Sequence, residues 1–141
     1  MSPVARRGLA AAGLAVALLV GVSLLALGRG SPATGGTCVP AGTTVCLTRA
    51  AGGRVEHVRR GVQVTLTLGN GTNLWGPPLL GGRGLAAVGE PARLGRGYVA
   101  HYRATEDGTA TIQATERPYC PPGTACPQYI LLWRTEVVVS R

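Results

Sequence analysis

The chain has 141 residues, with 14 arginines, no lysine and six acidic residues, and a formal net charge of +8. Its length corresponds to about one domain. The arginines are scattered, with no run longer than a pair, so the charge does not indicate a nucleic-acid partner. We attribute it to the residue bias of a GC-rich bacterial genome.

The first part of the chain has the pattern of an export signal. Residues 8–28 carry no charge and follow the pair Arg6-Arg7, which is a positive segment before an apolar stretch. The stretch is long enough to span a membrane, and Ala26-Leu27-Gly28 is an acceptable cleavage site. We therefore predict that residues 1–30 are a signal peptide or a membrane-anchoring helix, with cleavage and retention both open.

Both outcomes place the rest of the chain outside the cytoplasm, because the cationic end of such a segment stays inside. We expect a protein that is secreted or anchored to the outer face of the cytoplasmic membrane. The membrane is a partner only if the helix is retained. Residues 31–36 have the composition of a linker, and residues 37–141 predict one small domain.

Four cysteines in an exported domain of this size predict two disulfides. Three pairings are possible, and the order along the chain favours Cys38 with Cys46 and Cys120 with Cys126. These spacings do not match the Cys-x2–4-Cys of zinc sites or the Cys-x-x-Cys of redox pairs. We predict no metal and no cofactor. A set of free thiols would favour a metal or redox protein instead.

The domain shows apolar–polar alternation with a period of two, which is typical of half-buried strands. The predicted strands are 44–48, 54–58, 62–68, 85–88, 98–104, 109–115 and 129–139. The predicted inward positions of the four longest are Val62, Val64, Leu66 and Leu68; Tyr98, Ala100, Tyr102 and Ala104; Ala110, Ile112 and Ala114; and Leu131, Trp133, Thr135, Val137 and Val139.

Six or seven short strands separated by turns predict an all-β sandwich. Glu106-Asp107-Gly108 lies between two of them, and Asp-Gly is a strong hairpin signal, so we expect a hairpin there. Trp75 and Trp133 are the large side chains expected to fill the core.

The sequence does not predict an enzyme. A catalytic site needs a nucleophile, a base and an orienting group within reach of each other. The exported part contains His57 and His101, a single aspartate, Asp107, and no Gly-x-Ser-x-Gly motif. Glu106 and Asp107 belong to the predicted turn, and Glu136 is an outward strand position, so paired catalytic carboxylates are not expected.

The order of motifs from residue 59 onward resembles the chagasin-type inhibitors of papain-like cysteine peptidases. "RRGVQVTLTLGNGTNLW" is similar to their early strand and loop, and "LGRGYVAHYRATEDGTATIQATERPY" to their following stretch, which ends in Arg-Pro-Trp. The resemblance covers about 80 residues and implies an immunoglobulin-like sandwich. It also implies a protein that blocks a peptidase cleft with a wedge of three loops, here Gly69–Trp75, Leu94–Tyr98 and Arg117–Tyr119. We expect a monomer.

The binding residues implied by this resemblance are Asn70, Gly71, Thr72, Asn73, Leu74, Trp75, Gly95, Arg96, Gly97, Arg117, Pro118 and Tyr119. The chain departs from the family in the first loop, which is Asn-Pro-Thr-Thr-Gly-Tyr in typical members. It also departs after the third loop, where Cys120 and Cys126 are additional. Such a disulfide either holds a contact loop rigid or only stabilises a small core without phenylalanine.

A second hypothesis keeps the sandwich and replaces inhibition with a structural or adhesive role in the cell envelope. The two hypotheses differ in the first loop. Inhibition predicts that residues 70–75 are exposed beside Arg117–Tyr119, whereas an architectural role predicts that Trp75 is buried.

Overall fold

A computed structural model describes residue 38 and residues 40–69 and 71–141. The predicted signal or anchor segment, residues 1–30, and the linker, residues 31–36, lie outside the described residues. In the described part, no helical segment has the length and apolar character that a membrane crossing requires.

The described residues form ten β-strands and one short 3₁₀ helix. The strands are β1 Thr44–Leu47, β2 Val55–Arg59, β3 Gln63–Leu68, β4 Asn73–Trp75, β5 Leu79–Gly82, β6 Leu85–Ala87, β7 Ala92–Leu94, β8 Gly97–Ala104, β9 Gly108–Pro118 and β10 Leu131–Ser140. The 3₁₀ helix, Arg49–Ala51, lies between β1 and β2.

The strands form two five-stranded sheets. The first has the order β1-β3-β8-β6, with β7 also paired to β8, and the second has the order β2-β10-β9-β4, with β5 also paired to β9. Strand β1 is parallel to β3, and β2 is parallel to β10, while the other pairs are antiparallel. The prediction of an all-β sandwich is confirmed.

The predicted number of six or seven strands is too low. The additional strands are β4, β5 and β7, which have only three or four residues each. A strand this short has too few positions for an alternating pattern to be recognised. These strands form because each can pair along its length with the long strand β8 or β9.

The core between the sheets follows the predicted alternation. Val64 and Leu66 of β3, Ile112 of β9 and Val137 of β10 are fully buried. Trp75 and Trp133 are also buried and contact each other edge to face, with their ring centroids 6.4 Å apart. Such a pair adds to the stabilisation from burial alone.

The predicted hairpin at Glu106-Asp107-Gly108 is wrong. Strand β8 before it pairs in the first sheet, and β9 after it pairs in the second, so the segment crosses between sheets. A type I′ hairpin turn needs positive φ at both central residues, and no described residue other than glycine has positive φ. Asp107 instead accepts a hydrogen bond from Arg60.

The start of the last strand is also corrected. Strand β10 begins at Leu131, two residues later than the predicted segment. Leu131 was expected on the buried face, but it is 48% exposed, whereas Trp133 is buried. The period of two identifies which side chains face inward, but it cannot show where the opposing sheet ends.

The structure forms the two local disulfides that the cysteine order favoured, Cys38–Cys46 and Cys120–Cys126. The first joins the start of the described chain to β1. The second closes a loop between β9 and β10. No cysteine is free, and all four lie in the described part of the chain.

Candidate functional site

The described parts of the three loops lie together at one end of the sandwich. Strand β3 ends there at Leu68, β8 begins there at Gly97, and β9 ends there at Pro118. Leu68 is paired with Tyr98, and Asn73 with Pro118. We call this end, defined by Gly69–Trp75, Leu94–Tyr98 and Arg117–Tyr119, the loop end.

Within the first loop, exposure decreases along the chain. Asn70 lies outside the described residues. Gly71 and Thr72 are exposed, Asn73 and Leu74 are half-buried, and Trp75 is 5% exposed. The loop therefore has an exposed tip and a buried tryptophan at its base, so each hypothesis correctly predicts one part of it.

The second loop is a two-residue turn, because Leu94 is paired with Gly97 across Gly95 and Arg96. Gly95 has a φ of 59°, a left-handed conformation that glycine adopts without steric cost. The backbone carbonyl of Arg96 accepts a hydrogen bond from the backbone N–H of Trp75 at 2.9 Å. This bond connects the second loop to the base of the first.

Gly97 is needed for the approach of these two loops. A Cβ atom at this position would collide with the carbonyl oxygen of Leu68 and would approach Cα of Gly69 to 2.7 Å. Both are backbone atoms, which cannot turn aside as the end of a flexible side chain can. The absence of a side chain at Gly97 lets β8 begin against the end of β3.

Glu116 connects the first loop to the body of the domain. Its carboxylate accepts a hydrogen bond from Asn73 Nδ2 at 2.6 Å and another from Arg49 Nε at 3.1 Å. The residue is 5% exposed, and a buried carboxylate requires such partners. Glu116 was not predicted as a site residue, although it continues the inward positions Ala110, Ile112 and Ala114 of β9.

The second and third loops meet through a stacked pair. The guanidinium carbon of Arg96 lies 3.8 Å from the centroid of the Tyr119 ring, which is a close cation–π contact. Tyr119 remains 42% exposed, and Arg117 is exposed beside it. Cys120 of the second disulfide follows Tyr119 directly, so the disulfide holds the chain at this point.

The exposed charge of the loop end is positive. Glu116 is buried and paired with Arg49, whereas Arg96 and Arg117 are exposed. In the described part of the chain, neither arginine has a carboxylate within 4.0 Å. Guanidinium groups form strong charge-assisted hydrogen bonds with carboxylates. These two arginines are therefore suited to bind acidic side chains of a partner.

The histidines are separate from this surface. His101 Nδ1 is 3.1 Å from Thr65 Oγ1 on the neighbouring strand, and His57 is exposed on the edge strand β2. Among the described residues, no group of three or more histidine, cysteine or acidic side chains is placed to hold a metal ion. The arrangement at the loop end can contact a surface, and we assign it no chemical step.

No protein-family model matches the chain, and no curated protein matches it. The solved structures to which it is similar include the cysteine protease inhibitor EhICP2 from Entamoeba histolytica. That similarity has 12% identity and a TM-score of 0.46, and covers 69% of this chain and 95% of the other. Amebosin, in its solution structure, is 19% identical with a TM-score of 0.41, covering 71% of this chain and 100% of the other.

Proposed function

We propose that the protein is an exported, reversible inhibitor of papain-like cysteine peptidases, which inserts the loop end into the peptidase cleft. The observation that carries this proposal is the mutual fixation of the three loops. The backbone N–H of Trp75 donates a hydrogen bond to the Arg96 carbonyl, and the Arg96 side chain stacks on Tyr119. The same three segments are those that the motif resemblance assigns to binding.

Fixed loops favour binding because fewer side chains must be ordered on contact. Each immobilised side chain otherwise costs about 0.5–1.5 kcal/mol. Tyrosine and arginine, as in Tyr119 and Arg117, are also the residue types that dominate binding energy in protein interfaces. Gly71 and Thr72 would form the leading tip of the wedge, since they are the exposed described residues of the first loop.

A second candidate is a structural or adhesive domain of the cell envelope. The burial of Trp75 favours it, because a tryptophan 5% exposed contributes to the core rather than to a contact with a partner. Under the inhibitor proposal, Trp75 instead anchors the base of the first loop and the tip alone enters the cleft.

The first experiment is inhibition of papain by residues 33–141, which include both sheets, with the disulfides intact. Reversible inhibition at sub-micromolar concentration would support the proposal. No inhibition at tens of micromolar would contradict it for papain and favour the envelope role.

The loop assignment is tested by Thr72→Asp and Leu74→Asp, which should both weaken peptidase binding. Thr72→Asp, at the exposed tip, should do so without lowering the unfolding temperature. The matched control is Thr109→Asp, an exposed position in β9 at the far end of the sandwich. Equal inhibition by all three variants and the parent would contradict insertion of the first loop. A change in stability alone is the outcome that the envelope role predicts.

A further inference from the structure

The loop end carries an exposed apolar run that does not belong to the three loops. Tyr129, Ile130, Leu131 and Leu132 are consecutive and are 44%, 70%, 48% and 66% exposed. Single exposed apolar residues are common on protein surfaces, but a contiguous group marks an interaction surface. We call residues 129–132 the apolar run.

The apolar run lies directly beside the third loop. In the β9–β10 pairing, Leu131 is opposite Glu116, and Leu132 is opposite Thr115. Strand β9 continues from these residues into Arg117–Tyr119. The run and the third loop are therefore adjacent ends of two paired strands.

Two surface depressions join the apolar run to the other loops. Ile130 lines one of about 400 Å³ together with Trp75 and Arg117. Leu131 and Leu132 line another of about 900 Å³, which also includes Gly69 and Leu94. Between them, the two depressions place the run beside residues of all three loops.

The position of the run is fixed by the second disulfide. Only Pro127 and Gln128 separate Cys126 from Tyr129, and Leu131 already belongs to β10. With a disulfide on one side and a strand on the other, the run has little freedom to fold back and cover its own side chains.

We propose that the apolar run is a fourth contact segment of the inhibitor, which binds an apolar surface beside the cleft of the peptidase. This inference rests on the proposed function and names the chemistry of the partner. The peptidase should offer protruding apolar side chains to the two depressions and carboxylates opposite Arg96 and Arg117.

The charge and shape of the surface favour a peptidase over other occupants. A symmetric contact between two copies would bring the exposed arginines of one copy towards those of the other, because both copies use the same patch, and like charges repel. The depressions beside the run can receive protruding side chains, which a folded protein partner offers and a lipid surface does not.

The test is inhibition of papain by the double variant Ile130→Asp/Leu132→Asp of residues 33–141. We expect the inhibition constant to rise at least about tenfold, as for central residues of protein interfaces. The matched control is Val55→Asp/Val88→Asp, which changes two exposed valines outside this surface and should leave the constant unchanged. A second variant, Ile130→Ser/Leu132→Ser, should weaken inhibition in the same direction without adding charge, and would replace the first if that variant does not fold.

The outcomes separate this inference from the proposed function. If the parent inhibits papain and neither run variant alters its constant, the fourth segment is wrong and the three-loop inhibitor remains. If the parent does not inhibit papain, both fail. A parent dimer in light scattering that the run variants abolish, or binding to phosphatidylglycerol vesicles that they abolish, would overturn the inference in favour of a second copy or a lipid surface.

Discussion

The loop end and the opposite end of the sandwich hold their connections by different means. At the loop end, the buried carboxylate of Glu116 accepts bonds from Asn73 and Arg49. At the opposite end, where β8 continues into β9, Asp107 is paired with Arg60 and Arg141 on the surface. A buried charged group is costly unless it is paired, whereas exposed ion pairs contribute little.

This difference indicates which end of the sandwich should tolerate substitutions. The loop end combines a close backbone approach, a buried carboxylate with its hydrogen-bond partners and a disulfide with exposed apolar and arginine side chains. Its backbone is held in one shape while these side chains remain available to a partner, as expected of a binding surface. The opposite end is joined by polar surface contacts and presents no comparable apolar surface among the described residues.

The largest expected effect comes from Gly97→Ala. The new Cβ would collide with the Leu68 carbonyl oxygen, and moving two backbone segments apart should lower the free energy of unfolding by about 3 kcal/mol or more. Gly71→Ala is the matched control, since no heavy atom lies within 4 Å of a Cβ at that position. Chemical denaturation measures both, and equal stability would show that the two loops can separate without cost.

A smaller loss is expected for Glu116→Ala, which leaves the Asn73 amide without its partner. A lost hydrogen bond to a charged group corresponds to about 1.5–3 kcal/mol. Most of the loss should come from Asn73, because the Arg49 side chain is 62% exposed and water replaces its contact. Glu116→Gln retains an acceptor for Asn73 and should recover most of the stability. If Glu116→Ala and Glu116→Gln gave the same denaturation curve, this account of the loop end would be contradicted.

The body of the sandwich should respond to alkaline pH. Burial raises the pKa of Tyr102 to about 12, above its ordinary value near 10. Between these values the unfolded chain loses the phenol proton and the folded protein keeps it. The contribution of Tyr102 to stability should therefore be constant below pH 10 and fall by up to about 1.4 kcal/mol per pH unit from 10 to 12.

Tyr102→Phe is the control for this titration. The Tyr102 hydroxyl is buried and finds no hydrogen-bond partner among the described residues, so its removal should leave stability at pH 7 unchanged or higher. The variant should also lose part of the decline above pH 10. Unfolding temperatures recorded from pH 7 to 12 test both points, and an unchanged alkaline decline would assign it to another group.

The smallest effect is expected at the opposite end, for Asp107→Asn. Its partners Arg60 and Arg141 are 43% and 84% exposed in their side chains, and solvent screens such pairs. We expect a loss below about 0.5 kcal/mol in the free energy of unfolding. A loss as large as that of Glu116→Ala would remove the contrast between the two ends.

The sequence by itself determined the longer sheet-forming segments and their inward faces, but not the short strands β4, β5 and β7. Alternation in β3, β8, β9 and β10 identified their buried positions, because successive side chains of a strand point to opposite faces. The sequence also identified the local disulfides as the favoured pairing, and the order of motifs indicated the loops that the structure brings together.

Only the tertiary structure decided which strands share a sheet and what fixes the loops. The Glu106-Asp107-Gly108 segment has the composition of a hairpin, yet it crosses between sheets because β8 pairs with β3 in one sheet and β9 pairs with β10 in the other. The bond from Asn73 to Glu116 and the stacking of Arg96 on Tyr119 likewise join residues distant in sequence. A local pattern records which face of a strand is apolar, but it contains no information on which distant group will satisfy a buried carboxylate.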